Sequence, residues 1–152
     1  MSPAGLLFFV MAGHLIPLDE SKFDRLLHSQ PGKILAIDFW ATWCEPCRAE
    51  MPKLANLQNR FRGDGLVLIT VSADEPEQER AAAAFLEKSG ISFPAYIKKA
   101  VDDRRFIDSI DPKWSGALPA LFLYDRHGRK VQSFIGETDL KDLEDAIRLL
   151  RK

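Results

Sequence analysis

Cysteine is scarce in this chain: 152 residues hold two. That excludes a disulfide-stapled scaffold, and two thiols alone cannot complete a structural zinc site. An excess of one charge is also missing, since 21 Lys and Arg face 22 Asp and Glu for a formal net charge of -1. A nucleic-acid binder shows a basic excess or stripe, so no nucleic-acid partner is expected. No Gly/Ser- or Pro-rich linker divides the chain, and nothing repeats at a fixed period. Long apolar runs are lacking too. Leu6–Ala12 falls short of the about 18 residues a membrane helix needs, and His14 and Asp19 follow soon after. No integral membrane segment is expected.

What is present is ordinary globular material. Hydrophobic residues make up 46% and charged residues 28%, which excludes disorder and low-complexity fibres. A domain near this size buries roughly 70% of its unfolded surface, so a core can form without covalent staples. Residues 1–13 are read as an N-terminal arm or a signal remnant. Their apolar stretch suits an export signal, but no Lys or Arg precedes Lys22 and no A-x-A site follows. Residues 14–152 are expected to form the folded domain.

Along that domain, His14–Leu18 reads as a short strand. Ser21, with Asp24 three residues on, resembles a helix start, and Pro31-Gly32 a helix end. Ile34–Trp40 and Leu66–Val71 are apolar runs of the kind found in strands buried on both faces. A helix is predicted from Cys44 to Arg62 with Pro52 inside it, and another after Pro76, stopped by Gly90. A strand at Phe93–Ile97, a helix at Asp103–Ile110 and a hairpin of Ala120–Tyr124 with Lys130–Ile135 follow. The last helix starts near Thr138, with acids early and bases late as its dipole favours. This order predicts an α/β fold, a mixed central sheet flanked by helices on both faces.

Both cysteines fall in one short segment, Trp43-Cys44-Glu45-Pro46-Cys47, between a buried strand and a helix start. A thiolate at a helix N-terminus is stabilised by the dipole and by unpaired N–H groups, so Cys44 can ionise near neutral pH. Cys47, nearly one turn on, is placed to close a disulfide and to release a mixed one. Pro46 presets the backbone for the helix. Zinc lacks ligands here, because His14, His28 and His127 are far away in sequence. Covalent haem attachment wants His where Arg48 stands. Four residues enclose too small a ring for a stabilising disulfide. Redox chemistry is the reading these residues favour, with no bound cofactor and no metal.

The segment Asp38-Phe39-Trp40-Ala41-Thr42-Trp43-Cys44-Glu45-Pro46-Cys47-Arg48, with Pro52 beyond it, resembles the active site of the thioredoxin superfamily. Glu50-Met51-Pro52, Val71-Ser72-Ala73-Asp74 and Gly116-Ala117-Leu118-Pro119 are similar to the TlpA/ResA group of thioredoxin-like reductases. The resemblance implies a thioredoxin fold with a strand–helix insert before a cis-proline, Pro119. It also implies that Leu118 presents its backbone to a substrate, and that Trp43, Glu45 and Pro46 line the same surface. Asp38, a lone charge in an apolar strand, is read as a proton acceptor for Cys47, with a hydrogen-bonded structural role as the alternative. Asp38 matches thioredoxins, whereas many TlpA/ResA proteins carry Asn there.

The expected activity is thiol–disulfide exchange, with Cys44 attacking from an exposed position and a sheltered Cys47 resolving. Expected partners are protein disulfide substrates and an upstream thiol reductant, for a monomer outside the cytoplasm or, alternatively, within it. The rival reading is a redox-inert or copper-binding module. A peroxidase ranks low, because peroxiredoxin-like sites carry Thr and Pro ahead of the reactive Cys and Trp43 precedes Cys44 here. Trp40 is read as core and Trp114 as packing of the insert rather than a substrate platform. Lys98-Lys99 and Arg104-Arg105 are read as solvated.

Overall fold

The structure is a computed structural model that describes residues 14–91 and 94–152. At its centre lies β2 (Ile34–Trp40), in which every residue is buried. An apolar run with a single charge has no face to offer water, and a central strand is where such a run belongs. β2 pairs in parallel with β3 (Leu66–Ser72) and antiparallel with β5 (Ala120–Tyr124). β4 (Tyr96–Lys98) and then β1 (Ile16–Leu18) extend the parallel side. β6 (Lys130–Ile135) completes the antiparallel side, giving the order β1-β4-β3-β2-β5-β6. This is the mixed sheet expected.

Side-chain alternation along β2 splits the core in two. Ile34, Ala36 and Trp40 join a cluster with Met51 and Leu54 of α2 (Glu45–Phe61), Leu86 of α3 (Glu79–Lys88), and Leu143 and Ile147 of α5 (Leu140–Leu150). Leu35, Ile37 and Phe39 point the other way, toward Phe23 and Leu26 of α1 (Phe23–Leu27) and Phe106 and Ile110 of α4 (Asp103–Ile110). Each such large side chain contributes about 1.5–3 kcal/mol by leaving water. The helix between the parallel strands β2 and β3 is α2, so the end of β2 feeds straight into its first turn.

β4 and α4 form the insert ahead of Pro119, and the Leu118–Pro119 peptide is cis, as the resemblance implies. Trp114 packs this insert: its ring lies 4.9 Å from Phe39 and 5.4 Å from Phe122, and its indole N–H donates to the Ala117 carbonyl at 2.9 Å. Trp40 is fully buried, and Lys98 pairs with Asp103 at 2.7 Å on the surface.

Two local expectations change. Asp24 does not cap α1 with Ser21. The Ser21 hydroxyl and N–H instead donate to Asp19 at 2.6 and 2.9 Å, and α1 starts at Phe23 without a side-chain cap. Asp19 reaches the N–H two residues on within a single turn, so this local bond forms ahead of the helical one. At the other end, Asp139 caps α5 by accepting the Asp142 N–H at 3.0 Å, which moves the first helical residue to Leu140. The arm or signal remnant read at residues 1–13, and Phe93 of the expected fourth strand, lie outside the described residues.

Candidate active site

Cys44 sits immediately before α2 with an extended backbone (φ -94°, ψ 101°), and Glu45 and Pro46 open the helix. Its N–H donates to the Ala41 carbonyl at 3.1 Å, and its carbonyl accepts the Arg48 N–H at 3.1 Å. Cys44 and Cys47 are joined as a disulfide with their Cα atoms 5.3 Å apart. Cys47 is 0% exposed and Cys44 6%. The order of exposure is the expected one, but Cys44 is not the open thiol that its place at a helix start predicts. Cys44 packs into the core cluster on the α2 face, and the bond to Cys47 holds it there. Trp43, by contrast, is 71% exposed beside it. Glu45 is exposed and Pro46 half-buried.

Pro119 reaches this end of the sheet through strand register. Phe39 pairs with Ala120 across the antiparallel β2–β5 ladder, so Pro119 stands level with Trp40, where β2 gives way to the cysteine turn. Leu118 is partly buried against both core clusters. The structure therefore brings the cysteine turn and the cis-proline to the same edge.

Two buried acids, Asp38 and Glu50, lie on the same side of the sheet as the cysteines. Asp38 shares the β2 face of Ala36 and Trp40 and is fully buried, and neither carboxyl oxygen has a hydrogen-bond partner among the described residues. Burial pushes its pKa well above the ordinary carboxylate range, and the negative charge of Glu50 adds to the effect. Glu50 lies one helical turn after Cys47, on the buried side of α2. Its carboxylate accepts from the Thr138 N–H and hydroxyl, each at 3.0 Å. Burial raises the Glu50 pKa, and the Thr138 bonds pull partly against that rise. A hydrogen-bonded structural role calls for donors, and none reaches Asp38 among the described residues. A carboxylate whose pKa is raised by burial is a stronger base than an ordinary one.

Sequence alone gives no role to Glu50, Asp74, Thr138 or Arg48. Glu50 carries a signal, because a position three after Cys47 repeats its helix face. Arg48 lies with its guanidinium 4.7 Å from the Phe85 ring centroid and donates to the Thr42 carbonyl at 3.3 Å. Among the described residues, no cluster of three or more His, Cys, Asp or Glu could hold a metal ion, and no helix is long and apolar enough to cross a membrane.

The chain matches the AhpC/TSA family over residues 19–133. It is 33% identical over 117 residues to the thiol-disulfide oxidoreductase ResA of Bacillus thuringiensis (strain Al Hakam), a match covering 77% of this chain and 63% of that relative. Against the ResA of Bacillus subtilis (strain 168) it is 30% identical over 135 residues, covering 88% of this chain and 71% of that one. Among solved structures, a thiol:disulfide interchange protein of the thioredoxin family from Chlorobium tepidum TLS superposes with a TM-score of 0.68 at 22% identity. That alignment covers 82% of this chain and 83% of the other, which shows the fold to be the thioredoxin fold. The matched span runs from just after β1 into β6 and takes in both cysteines and the cis-proline, so the chain belongs to the AhpC/TSA family.

Proposed function

We propose that this chain is a thiol–disulfide oxidoreductase that reduces protein disulfides through Cys44 and Cys47. The observation that carries this reading is the Cys44–Cys47 disulfide at the head of α2, with the buried Asp38 and Glu50 on the same side of the sheet. In the reduced protein the Cys44 thiolate attacks a substrate disulfide, forming a mixed disulfide and expelling one substrate thiolate. Cys47 then attacks Cys44 Sγ, expelling the second substrate sulfur as a thiolate and leaving the protein oxidised by one electron pair. Asp38 takes the proton that Cys47 gives up. An upstream dithiol restores the starting state by the same exchange in reverse.

Trp43, Glu45, Pro46, Leu118 and Pro119 form the substrate surface in this reading. No cofactor takes part, and residues 14–152 act as one monomeric thioredoxin-like domain. The resemblance to ResA-type proteins supports work outside the cytoplasm. Reduction of insulin disulfides by a thiol donor tests the activity. Repeated turnover, lost in Cys44→Ser and replaced by accumulated mixed disulfide in Cys47→Ser, is the expected result. Tight stoichiometric Cu(I) binding without turnover would show a copper-binding module instead. Equal alkylation rates of the two reduced thiols near neutral pH would contradict the order of attack.

A further inference from the structure

Asp74 lies on the loop after β3, 1% exposed. Its carboxylate accepts the Thr42 N–H at 3.1 and 2.9 Å, one distance to each oxygen, and the Thr42 hydroxyl at 2.6 Å. The Ser72 hydroxyl donates to it at 2.6 Å, and the Asp74 N–H donates back to Ser72 Oγ at 3.0 Å. A buried carboxylate is costly unless donors surround it, and here neutral donors from the cysteine turn and the end of β3 do so. Hydrogen bonds with an ionised acceptor are also roughly twice as strong as neutral ones.

The Thr42 N–H belongs to the Ala41–Thr42 peptide. The carbonyl of that same peptide accepts the Cys44 N–H at 3.1 Å. One rigid amide plane is therefore gripped by Asp74 on one side and holds Cys44 on the other. A bond to an anion at the N–H end also polarises the amide and strengthens its carbonyl as an acceptor. Nearby, the Trp40 carbonyl accepts the Ala73 N–H at 2.8 Å, so the β3 loop and the cysteine turn are stitched together on both sides of Ala41.

We propose that Asp74 is a positioning residue for the exchange reaction: acting through the Ala41–Thr42 peptide, it holds Cys44 where the Cys47 sulfur can reach it. The inference rests on the proposed exchange chemistry. While the disulfide is closed, the covalent bond also holds Cys44. Once Cys44 carries a mixed disulfide, that bond is gone and the Asp74-anchored turn keeps Cys44 Sγ within range. Resolution is then intramolecular: Cys47 forms the new S–S bond to Cys44 Sγ, the bond to the outer sulfur breaks, and the departing thiolate gains a proton as Cys47 loses one. Its equilibrium reads the effective concentration of Cys47 at Cys44, which falls as the turn loosens.

The test equilibrates the full chain with a glutathione redox buffer, quenches with acid, and measures by mass the ratio of glutathione mixed disulfide to closed disulfide. Asp74→Ala is expected to raise that ratio about tenfold, the equivalent of one lost hydrogen bond to a charged group. Asp74→Asn keeps an acceptor oxygen for Thr42 and should stay within about twofold of wild type. Thr42→Val, which keeps the N–H bond and loses the hydroxyl, should rise about threefold. Ser72→Ala removes both hydrogen bonds between Ser72 and Asp74 but none to Thr42 and should match wild type. A ratio unchanged in Asp74→Ala, or raised as much by Ser72→Ala, overturns the proposal. Should Asp74→Ala not fold, an unchanged ratio in Thr42→Val overturns it. Failure of the wild type to exchange with glutathione at all would instead sink the proposed function.

Discussion

The two faces of the sheet are built from the same strands and solve different problems. On the α1–α4 face, Phe39 meets Phe23, Phe106, Trp114 and Phe122 at centroid distances between 4.9 and 6.5 Å. This is an aromatic core, with the only indole N–H in that group satisfied by a backbone carbonyl. On the α2 face the next residue back along β2 is Asp38, buried without a donor, with the Glu50 charge felt across the interior. One face gains stability from tight packing. The other tolerates a destabilising carboxyl on the face that packs both cysteines.

Breaking the aromatic face should have the largest effect on stability and little on chemistry. Phe39→Ala removes the ring at the centre of that cluster and should cost about 3–5 kcal/mol, read from the denaturant midpoint. Exchange rates per folded molecule should be retained. If exchange fell in step with stability in conditions where the variant remains folded, the two faces would not be separable.

The opposite result is expected on the α2 face. Asp38→Asn should slow exchange near neutral pH by about ten- to a hundredfold while raising stability on the order of 1–3 kcal/mol. The pH dependence has a definite sign. Asp38 binds its proton more tightly in the folded than in the unfolded chain, because burial raises its pKa. Its favourable contribution is complete below the unfolded value of about 3.9 and is lost as pH rises through the higher folded value. The stability advantage of Asn should therefore grow with pH across that window. Melting curves that stay parallel at all pH values, with unchanged kinetics, would reduce Asp38 to a structural residue.

A smaller shift should come from the exposed rim. Glu45 places a carboxylate next to the Cys44 sulfur and opposes its ionisation. Glu45→His removes that opposition and should make the couple more oxidising, by about tenfold in the equilibrium with glutathione for each pKa unit gained. No change would mean that solvent screens Glu45 from the sulfur.

Where local pattern and tertiary demand agree, the sequence was readable. The bounds of β2, β5, β6 and α4 match the expectation residue for residue, since buried runs, a hairpin turn and an amphipathic stripe are local signals. The cysteine pair was readable for the same reason: four adjacent residues and a helix start carry its chemistry. The start of α1 was not, because two nearby acids competed for Ser21 and Asp19 won by proximity. Asp74 and Glu50 were hidden for another reason. Their partners Thr42 and Thr138 lie 32 and 88 residues away, a distance no periodicity spans. The low exposure of Cys44 is not a local signal, because it comes from packing into the core cluster alongside the disulfide-bonded Cys47.

The reduction potential of the Cys44–Cys47 couple, measured against a glutathione redox buffer, tests the central claim most directly. A dithiol whose thiolate is only moderately stabilised, with Glu45 beside it and no cation between the cysteines, should lie near the reducing value of about -270 mV that suits disulfide reduction. A couple near about -120 mV, the range of strong disulfide-forming oxidants, would contradict the assignment as a reductase.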